Sequence, residues 1–130
     1  MKGKLLNVAF SISIVSFLIL IGNFIYHGFQ PDKTTFFGFK NVYVVSQSME
    51  PTIMKNALCI TRTIDFSEIE VGDIITYSHN NQIIIHRVKE KHSDYLITKG
   101  DNNDVQDPWK VYPDVVRGKV VCIMNWIANI

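Results

Sequence analysis

The sequence predicts a mostly β protein, in which an N-terminal transmembrane helix precedes a compact antiparallel β-barrel or sheet domain. Three observations lead there. Between Leu5 and Phe29 no Asp, Glu, Lys or Arg occurs. From Asn41 onward no run of ten or more residues carries helical periodicity. In its place come six short β-branched or aromatic stretches separated by turn formers, the pattern of a small antiparallel sheet. A length of 130 residues accommodates one such domain and an appendage.

The apolar segment reads LLNVAFSISIVSFLILIGNFIYHGF. As a helix it extends roughly 37 Å, more than the ~30 Å hydrocarbon core of a bilayer. Its serines can hydrogen-bond back to helix carbonyls. The segment exceeds the usual apolar core of a cleavable leader, and no small-x-small cleavage site follows it, so an uncleaved anchor is expected. Lys2 and Lys4 precede it, which places the N-terminus in the cytoplasm and the body outside. Tyr26 and Phe29 suit the outer interface. The expected organisation is therefore 1–29 as cytoplasmic N-terminus and anchor, 30–40 as a tether, and 41–130 as the extracytoplasmic domain.

The strands follow in order. Val42–Val45 ends at Ser46-Gln47-Ser48, and Ala57–Thr61 comes next. The turn Val71-Gly72-Asp73 leads into Ile74–Tyr77, which Asn80-Asn81 joins to Gln82–Val88 as a hairpin. Asp94–Lys99 runs into the polar loop Gly100–Asp104, and Val115–Val121 closes the set. Val120–Ile130 is too short to span a membrane; it reads as a closing strand with a short tail, or as a tail lying at the interface on Trp126. Beyond the anchor the body carries 12 acidic residues and 11 basic ones. That balance gives no footprint for phosphate, so nucleic acid is not an expected partner.

Ser48 follows a β run, and Pro51 biases Glu50 toward extended backbone, so the hydroxyl can be presented to a cleft; the plain alternative is a turn-forming serine. His86 shares one strand face with Ile84 and Val88, while Ile85 and Arg87 take the other. It is either a satisfied core histidine or a general base near neutral pH. Asp101, Asp104 and Asp107 cluster in one loop, as a solvated acidic turn or as a source of an orienting carboxylate. The glutamate that would complete a calcium loop is missing, and the remaining histidines lack metal-ligand spacing, so no metal and no cofactor is expected. Cys59 and Cys122 read as small buried hydrophobes, with a disulfide between them as the alternative. A serine, a histidine and aspartates in that order on a β scaffold make an inventory for acyl transfer by an activated hydroxyl.

Ser46-Gln47-Ser48-Met49-Glu50-Pro51-Thr52, Ile85-His86-Arg87-Val88 and Lys99-Gly100-Asp101-Asn102-Asn103 with acids following resemble type I signal peptidase. The likeness is to its endoplasmic-reticulum and archaeal branch, which has small Gram-positive representatives and carries histidine where the common bacterial branch has lysine. It covers the anchor, the serine box, the Val71–Ile74 turn, the histidine strand and the acidic loop. The resemblance implies a β domain of the signal-peptidase type, with Ser48 as nucleophile, His86 as general base, and Asp101 and Asp107 as supporting acids, Asp104 being a rival for the latter. It also implies an oxyanion hole from the Ser46 hydroxyl and the Ser48 backbone N–H; Gln47 departs from the glycine common between them. The implied activity is serine endopeptidase cleavage of signal peptides from translocated secretory preproteins, at the cell membrane or the endoplasmic-reticulum membrane, near a translocon. The alternatives are a noncatalytic membrane-anchored adaptor or degenerate paralogue, a sortase-like enzyme using Cys59 with His86, and a LexA-like self-cleaving protease, which would need a suitably placed lysine.

Overall fold

A computed structural model of the chain describes residues 2–28 and 38–129. They fall into two units, divided at Thr35 and Phe36. The first contains helix α1, Lys2–Gly28, of 27 residues. Neutral polar residues do not break it, and Ser11 donates its hydroxyl to the Asn7 carbonyl at 2.9 Å, one turn back. Large apolar side chains from Val8 to Ile21 are exposed on all sides of it. The side chains described without a break run from 10 to 22, roughly 20 Å of helix. Among the described residues no helix is long and apolar enough to cross a membrane. Helix formation over the expected anchor is thus seen, and a crossing is not. Phe29, the Tyr26 side chain and most of the 30–40 tether lie outside the described residues.

The second unit is one six-stranded antiparallel sheet: β1 Phe39–Tyr43, β2 Leu58–Arg62, β3 Ile74–His79, β4 Gln82–Lys91, β5 Leu96–Lys99 and β6 Val116–Met124, in the order β1-β2-β6-β3-β4-β5. All six expected strands are present. β1 lies earlier than the sequence places it. Val44 still bonds Ala57 and Asn56 through its backbone, but its side chain turns into the core and Val45 leaves the ladder, 72% exposed. β-Propensity cannot register where a loop takes over. Asn80 and Asn81 both have positive φ, as a two-residue type I′ hairpin requires, and β3 and β4 pair directly around them. β6 forms the expected closing strand, and Asn125–Asn129 adds a short 3₁₀ turn.

Central β3 is buried on both sides. Ile74 packs with Val44, Met49, Ile53, Ala57 and Cys59, and Ile75 and Tyr77 pack with Ile69, Val88, Leu96 and Val111. The cross-strand pairs Ile75↔His86 and Ile74↔Arg87 set His86 on the second core's side and Arg87 on the first. Cys59 and Cys122 are unpaired thiols, Cys59 buried and Cys122 exposed. Cys122 is thus not the buried hydrophobe expected. Cys59 sits opposite Ile123 and Cys122 opposite Ile60, so the pleat sends the two thiols to opposite faces. Where β6 meets β2, a Cβ on Gly118 would stand 2.8 Å from the Arg62 carbonyl oxygen. Gly118→Ala is expected to lower stability by about 1–3 kcal/mol, read as a drop in Tm of the β domain.

Candidate active site

The 44–57 loop between β1 and β2 carries Ser48 in a turn, with Glu50 N–H bonded to the Gln47 carbonyl and Ile53 N–H to that of Met49. The Glu50–Pro51 peptide is cis. The segment is compact rather than extended, because Met49 and Ile53 are fully buried and draw it onto the core. The acidic loop locks this turn in place. Asn102 donates its backbone N–H to the Ser48 carbonyl at 2.8 Å and its side-chain amide to the Gln47 carbonyl at 3.1 Å. Gly100 admits the approach, since a Cβ there would meet the Ser48 oxygen at 2.5 Å. From the far side, Asn125 bonds Met54 N–H and the Thr52 carbonyl.

His86, 6% exposed, enters from the middle of β4. Its Nε2 lies 3.2 Å from Ser48 Oγ, and its Nδ1 lies 2.7 Å from Asp107 Oδ2. An ionised carboxylate only accepts, so Nδ1 carries the proton and Nε2 is left to accept from the Ser48 hydroxyl. Ser46 Oγ stands 3.2 Å from Ser48 Oγ on the exposed side. Asp107 is 8% exposed. Burial pushes its pKa up, but bonds from His86 and Thr98, the His86 charge, and a bond from Tyr77 together hold it below the ordinary carboxylate value. Buried polar groups are thus satisfied in the middle of a hydrophobic core.

The other two acids go elsewhere. Asp101 takes Arg87 Nε on Oδ1 at 2.8 Å and Nη2 on Oδ2 at 2.7 Å, and accepts the Thr52 hydroxyl at 2.6 Å. Arg87 Nη1 also donates to the Gly72 carbonyl at 2.8 Å. One planar fork therefore ties the serine loop, the acidic loop and the Val71–Asp73 turn together. Asp104 is exposed. Among the described residues no group of three His, Cys, Asp or Glu is arranged to hold a metal ion. Burial, with the Cys122 charge adding to it, pushes the Cys59 thiol up to about 11, so thiolate is scarce there at neutral pH. Where a self-cleaving protease would need lysine beside the serine, His86 stands. Sequence reasoning missed Arg87, Thr52, Asn102, Tyr77 and Thr98 as supports. The available signal was Asn102 inside the Gly100–Asn103 motif, and Tyr77, whose hydroxyl would need a partner if buried.

Two cavities of about 310 Å³ each are lined by Gly72, Arg87 and Lys119 among others, and by Arg62 and Asp65 among others; neither is lined by Ser48, His86 or Asp107. The hydroxyl lies half-buried at the surface instead.

The bonds to Arg87 hold the Asp101 carboxyl below its ordinary value; burial opposes them and Thr52 assists. A depressed folded pKa stabilises fully above the unfolded value, about 3.9, and that stability is lost as pH falls through the lower, folded value. Asp101→Asn is expected to remove about 1–3 kcal/mol at pH 7 and to flatten the acid side of the stability curve below about pH 4, measured by denaturant melts across pH.

Residues 32–121 match the Peptidase S24-like family. The chain is similar to the signal peptidase complex catalytic subunit SEC11 of Scheffersomyces stipitis, 40% identical over 72 residues, covering 51% of this chain and 43% of that protein. It is likewise similar to the SEC11 of Candida albicans, 38% identical over 72 residues, and of Debaryomyces hansenii, 36% over 73, with the same coverage. The match thus spans less than half the length of these curated relatives. The chain belongs to the Peptidase S24-like family.

Proposed function

We propose that the chain is a membrane-anchored serine endopeptidase that removes signal peptides from translocated secretory preproteins. The observation that carries this is the hydrogen-bonded series from Ser48 Oγ through His86 to Asp107, at 3.2 and 2.7 Å. His86 takes the Ser48 proton as the hydroxyl attacks the scissile carbonyl, and returns it to the leaving amine. Asp107 holds the imidazole with Nδ1–H inward and stabilises the cation that forms. The Ser46 hydroxyl and the Ser48 backbone N–H receive the oxyanion. Asp101 acts through the loops it ties. Ser48 is half-buried beside exposed Ser46 and Gln47, where a polypeptide can reach it, and the SEC11 relatives are named as catalytic subunits of signal peptidase complexes.

The apolar side chains exposed all round α1 support the anchor, since a helix apolar on every face needs lipid or protein around it. With the N-terminus cytoplasmic and the β domain outside, in the cell membrane or the endoplasmic-reticulum membrane, enzyme and substrate share one bilayer. That raises their effective concentration. Proximity to a translocon fits the same arrangement.

The test is incubation of the purified chain, in detergent, with a secretory precursor, followed by N-terminal sequencing of the product. Ser48→Ala and His86→Ala are expected to abolish cleavage. Asp107→Asn should lower kcat by roughly 10³–10⁴ and Ser46→Ala by about 10²–10³. Wild-type cleavage by Ser48→Ala would overturn the reading and leave a tethered β module. For the anchor, the full chain should stay with membranes after alkaline extraction, whereas a chain deleted of 1–29 should be released.

A further inference from the structure

Asp107 Oδ2 receives more than the imidazole. The Thr98 hydroxyl donates to it at 2.6 Å and the Tyr77 hydroxyl at 3.0 Å, beside His86 Nδ1 at 2.7 Å. These two hydroxyls come from separate strands, β5 and β3, and both residues are almost fully buried. They stand 3.0 Å from each other. Each has one proton, and a carboxylate oxygen with no proton of its own claims both. The Tyr77 oxygen then accepts from Trp109 Nε1 at 3.2 Å, and the Trp109 ring stacks on His79 at 4.0 Å between centroids. Asp107 is also tied by its backbone N–H to the Thr98 carbonyl at 2.8 Å. Burial holds the Tyr77 phenol above its ordinary value, so it stays a donor across the working pH range.

We infer that Tyr77 and Thr98 are positioning residues, which hold the Asp107 carboxylate aimed at His86, with Trp109 fixing the Tyr77 hydroxyl. The inference deepens the serine-histidine reading above and rests on it. Neither hydroxyl touches Ser48 or faces solvent; each acts through the carboxylate. The groups facing that carboxylate are His86 from β4, Tyr77 from β3 and Thr98 from β5. A core needing only volume here could hold Phe and Val. A donor removed from an ionised carboxylate raises its pKa and frees the carboxylate to turn away from the imidazole.

The experiment follows the Asp107 carboxyl carbon by NMR titration of the full chain in detergent micelles, in wild type, Tyr77→Phe, Thr98→Val and Thr98→Ser. Tyr77→Phe and Thr98→Val should each raise the Asp107 pKa by about one unit, a tenfold tighter proton, while Thr98→Ser returns it to the wild-type position. In the precursor assay the first two should lower kcat roughly tenfold with KM unchanged, and Thr98→Ser should restore it. Folded variants whose Asp107 titration does not move would overturn the inference, as would equal losses in Thr98→Ser and Thr98→Val. Should one variant fail to fold, the other still decides. The titration needs no turnover, so a wild-type chain that cuts no precursor would sink the peptidase reading and leave the Asp107 result to be judged separately.

Discussion

A carboxylate taken almost wholly out of water has to be met by donors, and Asp107 is met by three on a single oxygen. Left unpaired, such a charge would cost several kcal/mol, enough to undo much of a small domain's stability. Most of the second core can be understood as the frame for that one atom. β3 brings Tyr77, β4 brings His86, β5 brings Thr98, and the loop after β5 returns to deliver Asp107. Because the donors sit on adjacent strands of one sheet, their spacing is set by strand register and not by flexible loops. The imidazole is oriented from below by rigid structure, and the serine is the part brought to it.

Two aspartates six positions apart in one loop thus have unlike surroundings and unlike work. Asp107 is buried among hydroxyls and an imidazole, and its charge points at a group that can change protonation. Asp101 is partly buried and bound to a guanidinium, which cannot lose its proton in any ordinary range. The first pairing suits proton movement, and the second suits permanent cross-bracing. Both carboxyls are held below their ordinary values. The direction of the shift therefore does not tell the roles apart; the partner does.

Much of this was readable before any coordinates. Six strands, the Asn80-Asn81 hairpin and the alternation of His86 against Arg87 follow from period-2 patterning and turn chemistry, both local properties. Ser48, His86 and the cluster of Asp101, Asp104 and Asp107 stand out as residue types able to do that chemistry, and their roles are implied by the resemblance of three short motifs to a known family. What could not be read was long-range pairing. Nothing local says that Arg87 reaches Asp101 and Thr52, that Asn102 clamps the Ser48 carbonyl, or that Tyr77 donates to Asp107 across thirty residues. Choosing among Asp101, Asp104 and Asp107 needed the same information, as did the outward face of Cys122, which depends on register against β2.

The placement of β6 bears on how the molecule comes together. Among the described strands, β1-β2 and β3-β4-β5 are hydrogen-bonded into one sheet only through β6, which lies between β2 and β3. Ser48 belongs to the first group's loop and His86 to the second. A polypeptide made from its N-terminus has synthesised Ser48, His86 and Asp107 before the strand that seams the two groups has been added. Biosynthesis thus delivers Ser48 and His86 early and the keystone strand late, so a nascent domain carries the hydroxyl and the imidazole without the completed scaffold that aligns them.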